Sequence, residues 1–259
     1  MTDIHPTAIV KEGAVLGNNV TVGPFAYIGP KVTIGDGTTV ASHAVIEGKT
    51  TIGKHNRIFS HAAVGTIPQD LKYDGEESEL IIGDHNIIRE FTLLNPGTKG
   101  GGMVTKIGNH NLLMGYVHLG HDVILGDHCI LANGATLAGH VELGNHVVIG
   151  GLTPIHQFVH IGDYAMIGGA SAVAQDIPPY CLAEGNRAVL RGLNLTGLRR
   201  KIEREEINAL KSAYRELFEQ GQPIQEVAQR LFESDTSSYV KTLCMFIKTS
   251  KRGIPFTRK

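Results

Sequence analysis

An aliphatic residue recurs at every sixth position over most of the chain, and this period constrains the fold more than any other feature. Every sixth residue from Ile4 to Val64 is isoleucine, leucine or valine, and the series resumes from Ile82 to Leu94. It shifts by one residue across the next gap and then continues from Ile107 to Val173. A period of six is neither that of a helix nor that of an ordinary strand, and it is typical of hexapeptide repeats.

Hexapeptide repeats wind into a parallel β-helix, in which each hexad forms one short strand and one turn. Three hexads close a triangular coil, and the aliphatic residue points inward and stacks on its equivalent in the next coil. Glycine often follows that residue, as at Gly17, Gly35 and Gly120, where a tight corner excludes a Cβ atom or requires a positive φ. We therefore predict a mainly β fold for residues 1–186.

The period changes after Pro178 and Pro179. Residues 204–221 carry apolar side chains on one face at helical spacing, and two shorter amphipathic segments follow around Val227–Leu231 and Val240–Ile247. These patterns predict a C-terminal α-helical domain at residues 187–259. A domain of that size is small for a core of its own, so we expect it to pack on the β-helix or on a neighbouring subunit.

Composition argues against several classes of protein. The 24 basic and 25 acidic residues leave a formal net charge of −1, which does not favour nucleic acid as a partner. The three cysteines are odd in number and widely spaced, as in a protein of a reducing compartment. No secretory signal is recognisable, and no apolar run approaches the roughly 20 residues that span a bilayer. We expect a cytoplasmic protein without stable insertion into a membrane.

Two stretches interrupt the repeat. The first, residues 66–80, fills a gap equal to a whole number of hexads, so it leaves the winding without changing its phase. It carries Gln69, Asp70 and Lys72, and it is interpreted equally well as a functional loop or as a solvated one. The second, residues 95–106, contains four glycines and one proline but lacks the spacing of a phosphate-binding loop. We predict a flexible loop there.

Several of the 13 histidines lie next to the aliphatic ladder in its last run. His140 follows His121 by 19 residues, which is close to one coil of about 18 residues. Side chains one coil apart lie about 4.8 Å from each other along the axis of a β-helix. We therefore expect His121 and His140 to line one groove.

Three interpretations of these histidines compete. A solvated or structurally hydrogen-bonded imidazole is the default for any one of them. Imidazole is also a common zinc ligand, although no HExxH or CxxC spacing supports a metal site here. The third interpretation is a general base that removes a proton from an alcohol or amine, with Asp122 orienting His121. Neighbours on a strand point to opposite sides, which leaves that pairing open.

A cluster of five cations without an acid precedes the predicted helices. It is interpreted either as a solvated face or as a site for phosphate groups or for an acidic carrier protein. The five residues are Arg187, Arg191, Arg199, Arg200 and Lys201.

Several stretches resemble the UDP-N-acetylglucosamine acyltransferase family, which opens lipid A biosynthesis. The combination of QDLKY, HxxHD, LAGH and HQF is far more specific than the hexapeptide ladder. The resemblance implies a left-handed β-helix and a homotrimer whose active site lies between adjacent β-helices. It also implies transfer of a 3-hydroxyacyl chain from acyl carrier protein to the 3-position of the UDP-linked sugar. The matching stretches are IPQDLKY, NLLMGYVHLGHD, CILANGATLAGHVELG, GGLTPIHQF, AQDIPPYCLAEGN and GLRRK.

The same resemblance implies roles for individual residues. His121 is the general base, Asp122 is its supporting acid, and the amide of Gly139 faces the developing oxyanion. The thioester is already activated, so no metal and no cofactor beyond the phosphopantetheine of the carrier is implied. The other assignments put His118, His140, His156 and Gln157 in the cleft, Gln69, Asp70 and Lys72 on the sugar nucleotide or pantetheine, Gly169 at the acyl pocket, Asn194, Arg200 and Lys201 on the UDP group, and Arg199 on the acidic carrier.

Other functions stay open from the sequence. Asn95 and Pro96 stand where many members of that family have His-Arg, so a 3-amino UDP-sugar that would form an amide is an alternative acceptor. An acyl-CoA-dependent acetyltransferase on the same fold is a second alternative. A metal-binding hydratase and a non-catalytic scaffold are more distant ones.

Overall fold

The computed structural model describes residues 1–256, which form a left-handed parallel β-helix followed by four helices. The β-helix has three faces, which we call A, B and C in the order in which the chain first visits them. The predicted fold class is confirmed. Each residue of the aliphatic ladder from Ile4 to Ile167 is the last residue of its strand.

The strands of face A are Asp3–Ile4, Thr21–Val22, Thr39–Val40, Arg57–Ile58, Ile87–Ile88, Leu112–Leu113, Ile130–Leu131, Val148–Ile149, Met166–Ile167, Cys181–Glu184 and Val189–Leu193. Those of face B are Ile9–Val10, Tyr27–Ile28, Val45–Ile46, Ala63–Val64, Leu93–Leu94, His118–Leu119, Thr136–Leu137 and Pro154–Ile155. Those of face C are Val15–Leu16, Val32–Ile34, Lys49–Ile52, Glu79–Ile82, Val104–Ile107, Ile124–Leu125, Glu142–Leu143 and His160–Ile161.

The ladder forms the core of the β-helix. Ile28 pairs with Ile46 in the next coil, and both side chains are fully buried. Burying a side chain of this size contributes about 1.5–3 kcal/mol relative to leaving it in water. The first coil is different, because no coil lies beneath it, and Ile4 is 43% exposed.

The corners of the triangle are made by residues with a left-handed backbone. The third residue after each ladder position has a positive φ at most corners, and it is often not glycine. Asp122 has a φ of 59°, His140 of 62° and Phe158 of 64°. Aspartate, asparagine and histidine are the non-glycine residues that adopt this conformation most readily. Side chains at one corner therefore stack in columns, as do His85 and His110 at a centroid distance of 4.8 Å.

Both interruptions leave the β-helix at the corner between faces B and C, which we call the B–C corner, in successive coils. After the first interruption, Leu80 pairs with Thr50 of the preceding face C strand. After the second, Thr105 pairs with Leu80, so both strands return in register. The strand after the second interruption begins at Val104, so the inserted loop is shorter than the predicted range 95–106. The ladder marks only the end of each strand, whereas these strands of face C extend further toward the N-terminus.

The transition to the helices is an antiparallel hairpin of the last two face A strands, Cys181–Glu184 and Val189–Leu193. The sheet thus continues to Leu193, and the predicted division at residue 186 falls inside the hairpin. An antiparallel turn breaks the six-residue period, which is why the sequence pattern ends before the sheet does. The helices are α1 (Leu195–Leu198), α2 (Arg204–Phe218), α3 (Ile224–Ser234) and α4 (Ser238–Thr249).

The helices pack on the end of the β-helix. Tyr180 at the last corner meets Tyr239 of α4 at a centroid distance of 5.8 Å. The chain then returns to the hairpin, where the Leu190 N–H donates to the carbonyl of Pro255. Apolar residues of both parts form one buried cluster. Residues 257–259 of the predicted helical domain lie outside the described residues. Within residues 1–256, no helix is both long and apolar enough to cross a bilayer.

Candidate active site

The candidate site lies at the B–C corner, where His121 and Asp122 form the turn between a face B strand and a face C strand. The Nδ1 atom of His121 lies 2.8 Å from Oδ2 of Asp122. Side chains of neighbouring residues diverge on a strand, but Asp122 is in the left-handed conformation of a corner, so the two side chains converge. The hydrogen bond that strand geometry left open is therefore formed.

This hydrogen bond determines the neutral tautomer of His121. A carboxylate oxygen can only accept, so Nδ1 of His121 carries the hydrogen, and in the neutral imidazole Nε2 keeps its lone pair. The nearest acidic atom to Nε2 is Oδ2 of Asp70, at 3.9 Å, which is too long for a hydrogen bond. The side chain of His121 is 17% exposed. Its Nε2 atom is thus available to accept a proton from a bound molecule.

Asp122 is buried, and its side chain is 1% exposed. Its oxygens accept hydrogen bonds from the backbone N–H of Thr98, at 3.0 and 3.1 Å, and from the Thr98 hydroxyl at 2.7 Å. Its own backbone N–H donates to Oγ1 of Thr105 at 2.8 Å. A buried carboxylate is stable only with such partners. Thr98 belongs to the second inserted loop, which therefore has defined contacts where we predicted flexibility.

His140 lies in the next coil, as its spacing predicted. Its ring meets that of His121 edge to face at a centroid distance of 4.9 Å and stacks on Phe158 at 4.3 Å. Burial is the main cause that lowers the pKa of His140, with His121 acting in the same direction and Asp122 and Asp70 opposing it. The neutral imidazole is therefore favoured.

Glycine is required before His140. A Cβ atom on Gly139 would lie 2.5 Å from two ring atoms of His121, so any larger residue would displace that imidazole. The N–H of Gly139 donates no hydrogen bond to another of residues 1–256. It is thus free to donate to a ligand beside Nε2 of His121.

His118 lies on face B, in the strand His118–Leu119 that leads directly into this corner. Its Nδ1 atom lies 3.2 Å from the carbonyl of Leu93, so Nδ1 donates and Nε2 faces outward as an acceptor. Burial lowers the pKa of His118, this hydrogen bond opposes the shift, and the nearby His121 adds to it. The cleft is thus lined by neutral imidazoles, which can bind hydroxyl groups without adding charge.

The zinc interpretation can be tested on geometry. His121, Asp122 and His140 have potential ligand atoms within 4.8 Å of one another, and they form the one such group among residues 1–256. However, the carboxylate of Asp122 already accepts from Thr98 and from His121 at 2.8 Å. A cation bound to Nδ1 of His121 and Oδ2 of Asp122 would have to break that contact. The arrangement is that of a hydrogen-bonded acid–base pair.

The first inserted loop supplies the residues opposite His121. Oδ1 of Asp70 accepts a hydrogen bond from the backbone N–H of Lys72 at 3.0 Å, which holds Oδ2 toward Nε2 of His121. Gln69 and Lys72 are exposed beside it. Asn95, the departure from the family pattern, is 1% exposed and donates to the carbonyls of Thr66 and Ile67. It therefore joins the bases of the two loops.

The remaining predicted site residues lie in the next coil of the same corner or at other corners. His156 and Gln157 are exposed at the B–C corner of the coil after His140, whereas Gly169 is at the corner between faces A and B. Asn194 caps α1, accepts from the Gly197 N–H and donates to the carbonyl of Tyr164 at 2.9 Å. Its side chain is thus used internally, and its assignment to the UDP group stays a prediction.

The cations occupy a third corner. Arg199, Arg200 and Lys201 are exposed beside the corner between faces C and A. Lys201 lies near His146, whose pKa is lowered by burial, then by His128 and Lys201. One chain therefore brings Asp70, His118, His121, Asp122, Gly139 and His140 together, and it does not bring the cations or Gly169 to them.

Two residues that shape the site were not predicted from the sequence. Thr98 lies in a glycine-rich stretch that we predicted to be flexible. Glu76 lies in an acidic run of the first inserted loop, and it accepts a hydrogen bond from the N–H of Lys99 in the second loop at 2.9 Å. A polar residue between glycines, next to a break in the ladder, was the available clue for Thr98.

Two family models match the chain. The model described as UDP N-acetylglucosamine O-acyltransferase, domain 2, matches residues 176–255. The model of bacterial transferase hexapeptides, with six repeats, matches residues 13–48 and 105–139. Together they cover parts of both the β-helix and the helical end.

The chain is similar to curated relatives and to solved structures over nearly its full length. An acyl-[acyl-carrier-protein]–UDP-N-acetylglucosamine O-acyltransferase of Sulfurovum sp. (strain NBC37-1) is 83% identical over 259 residues, 100% of both chains. The solved UDP-N-acetylglucosamine acyltransferase from Campylobacter jejuni has a TM-score of 0.96 at 50% identity, covering 99% of this chain and 100% of its own. The corresponding enzyme of Francisella novicida has a TM-score of 0.94 at 37% identity, covering 97% of this chain and 93% of its own.

Proposed function

The chain belongs to the family of acyl-[acyl-carrier-protein]–UDP-N-acetylglucosamine O-acyltransferases, and from this membership we propose its reaction and the residues that carry it. It moves a 3-hydroxyacyl chain from acyl carrier protein to the 3-hydroxyl of UDP-N-acetylglucosamine, the first step of lipid A biosynthesis. The observation that supports the mechanism is the His121–Asp122 pair, which leaves a free lone pair on Nε2 in a partly open cleft.

His121 acts as the general base. A sugar hydroxyl is almost fully protonated at neutral pH, so its attack on the thioester needs a proton acceptor. Nε2 takes the hydroxyl proton while the new carbon–oxygen bond forms. The tetrahedral intermediate then breaks its carbon–sulfur bond, and the imidazolium returns the proton to the departing phosphopantetheine thiolate. General-base catalysis of this kind contributes about 10²–10⁴-fold in rate.

Asp122 and Gly139 assist from opposite sides. The carboxylate of Asp122 stabilises the imidazolium that forms on His121, through the hydrogen bond at Nδ1. The free N–H of Gly139, next to the His121 ring, donates to the negative oxygen of the intermediate. Because the thioester supplies the activation, the mechanism needs no metal or redox cofactor.

The remaining residues of the cleft bind the substrates. His118 and His140 present neutral imidazoles to the sugar or pantetheine, and His156 and Gln157 extend the groove into the next coil. Gln69, Asp70 and Lys72 contact the acceptor from the first inserted loop.

We place the complete site between subunits of a homotrimer. Arg200 and Lys201 lie at a different corner of the triangular prism from His121, and Gly169 lies at the third. A nucleotide whose phosphates meet these cations reaches His121 only if that corner belongs to a neighbouring copy. In this arrangement Gly169 leaves space for a long acyl chain.

The acidic carrier docks near the start of α2. Arg199, Arg204 and Lys211 line one surface cleft there, and all three are positively charged side chains. Clustered cations attract an acidic partner and accelerate its encounter. The three cysteines Cys129, Cys181 and Cys244 are unpaired and buried, which agrees with a reaction in the reducing cytoplasm.

The direct test is a matrix of donors and acceptors with the purified protein. We expect turnover with 3-hydroxyacyl-ACP and UDP-N-acetylglucosamine, slower turnover with the 3-amino UDP-sugar, and none with acetyl-CoA. Preference for the amine would reassign the acceptor. Activity with acetyl-CoA alone would replace the proposal by an acetyltransferase.

A further inference from the structure

We infer that Thr98 is a positioning residue of this reaction, which keeps Asp122 ionised and directed at Nδ1 of His121. The inference rests on the proposed role of His121 as general base. Thr98 does not reach the substrate side of the imidazole. It acts through the buried carboxylate of Asp122, to which both its backbone N–H and its hydroxyl donate.

Three hydrogen bonds join Thr98 to the carboxylate. Its backbone N–H lies 3.1 Å from Oδ1 and 3.0 Å from Oδ2 of Asp122, and its hydroxyl donates to Oδ2 at 2.7 Å. Oδ2 also accepts from Nδ1 of His121 at 2.8 Å. The Thr98 hydroxyl and Nδ1 of His121 thus both donate to Oδ2, and these two donor atoms lie 3.4 Å apart.

Burial makes these bonds necessary. The Asp122 side chain is 1% exposed, and among the described residues its carboxylate has no lysine or arginine partner within salt-bridge distance. Moving a carboxylate out of water is unfavourable unless hydrogen-bond donors replace the water. Thr98 supplies those donors. Without its hydroxyl, uptake of a proton by the Asp122–His121 pair becomes more favourable.

The second inserted loop is shaped around this carboxylate. A Cβ atom on Gly101 would lie 2.1 Å from Cγ of Asp122 and 2.4 Å from Cε1 of His140. A Cβ atom on Gly97 would lie 2.8 Å from Oδ1 of Asp122. The glycines on both sides of Thr98 therefore allow its backbone to approach the carboxylate closely. This explains two of the four glycines in this stretch, Gly97 and Gly101.

The first inserted loop holds Thr98 in place from the other side. The N–H of Lys99 donates to Oε1 of Glu76 at 2.9 Å, and the N–H of Asp74 donates to Oε2 at 2.9 Å. The carbonyl of Thr98 accepts from the N–H groups of Gly101 and Met103. The position of the Thr98 hydroxyl is thus fixed by its own turn and by the neighbouring loop.

The test compares Thr98→Val, which removes only the hydroxyl, with Thr98→Ser, which keeps it. We expect Thr98→Val to lower kcat about tenfold or more, because a hydrogen bond to a charged group is lost. The KM for UDP-N-acetylglucosamine should change less than about twofold. The acid limb of kcat/KM should move to higher pH, and Thr98→Ser should restore both. Thr38→Val, a buried threonine with hydroxyl hydrogen bonds far from the cleft, is the control.

A double-mutant cycle with Asp122→Asn tests the route of the effect. If Thr98 acts through Asp122, Thr98→Val adds little in that background. If the double variant instead shows the product of the two single losses in kcat, the inference is overturned. The inference would also be overturned if kcat and the acid limb are unchanged in Thr98→Val while the wild type is active and His121→Ala is inactive. Full activity of His121→Ala would instead overturn the proposed function. If Thr98→Val does not fold, Thr98→Ala removes the same hydroxyl.

Discussion

The hydrogen bond between His121 and Asp122 depends on one backbone conformation. Neighbouring residues on a strand present their side chains to opposite sides, and strand spacing alone argues against the pair. The φ of 59° at Asp122 turns the chain so that both side chains face the same cleft. The left-handed region costs a non-glycine residue free energy, which the hydrogen bonds to the Asp122 carboxylate offset.

The neutral histidine His118 gives a prediction about stability and pH. Burial lowers its pKa in the folded protein, so the unfolded chain, with a pKa near 6.5, binds protons first as the pH falls. The contribution of His118 to the free energy of unfolding should therefore be constant above that pH. It should decrease as the pH drops below that value toward the folded-state pKa. His118→Asn, which keeps a donor for the Leu93 carbonyl, should show a smaller decrease.

Urea unfolding at pH 7.5 and pH 5.5 measures this difference for both proteins. His140 and His146 also have lowered pKa values, so the variant should keep part of the dependence. Equal pH dependence in the wild type and in His118→Asn would contradict the assignment of a buried neutral imidazole.

At the level of secondary structure, the six-residue period predicted the strands well because each ladder residue performs the same task in every coil. It predicted that the first interruption preserves the phase, and the pairing of Leu80 with Thr50 confirms it. It could not reveal the contacts of the inserted loops, because these loops bond to a corner that is distant in the sequence. The end of the sheet was also hidden, since the hairpin at 181–193 is antiparallel.

The two inserted loops should move as one unit. Glu76 accepts from the N–H of Lys99 and from that of Asp74, and these backbone hydrogen bonds hold the pKa of its carboxyl below the ordinary value. Glu76→Ala removes the link, so amide hydrogen exchange should become faster in residues 95–103 as well as in the first loop. Glu77→Ala, an exposed neighbour, is the control. Faster exchange confined to the first loop would show that the link carries no coupling.

In the whole molecule, the candidate site and the cations lie at different corners of a triangular prism. His121 lies at the B–C corner, and Lys201 lies beside the corner between faces C and A. The periodic sequence predicted this prism, whereas its left-handed winding and the proposed trimer followed only from the family resemblance. A ladder of buried residues is the same for either hand, and it contains no information on what contacts the outer surface.

Complementation between two inactive variants tests the assembly. His121→Ala lacks the base, and Arg200→Ala/Lys201→Ala lacks the cations, so each should have little activity alone. When the two are co-expressed as mixed trimers, a site with both intact groups forms between neighbours. Random mixing should restore about a quarter of the sites, as expected for an interface that joins different surfaces of adjacent copies. No restoration would place both groups in one chain's site.

The role of His121 as general base is tested most directly by kcat of His121→Ala with 3-hydroxyacyl-ACP and UDP-N-acetylglucosamine. His5→Ala is the control, because His5 is an exposed histidine of the first coil, between the strands Asp3–Ile4 and Ile9–Val10. We expect kcat of His121→Ala to fall by at least about a hundredfold, and that of His5→Ala to stay near the wild-type value. Near-normal turnover by His121→Ala would contradict the account.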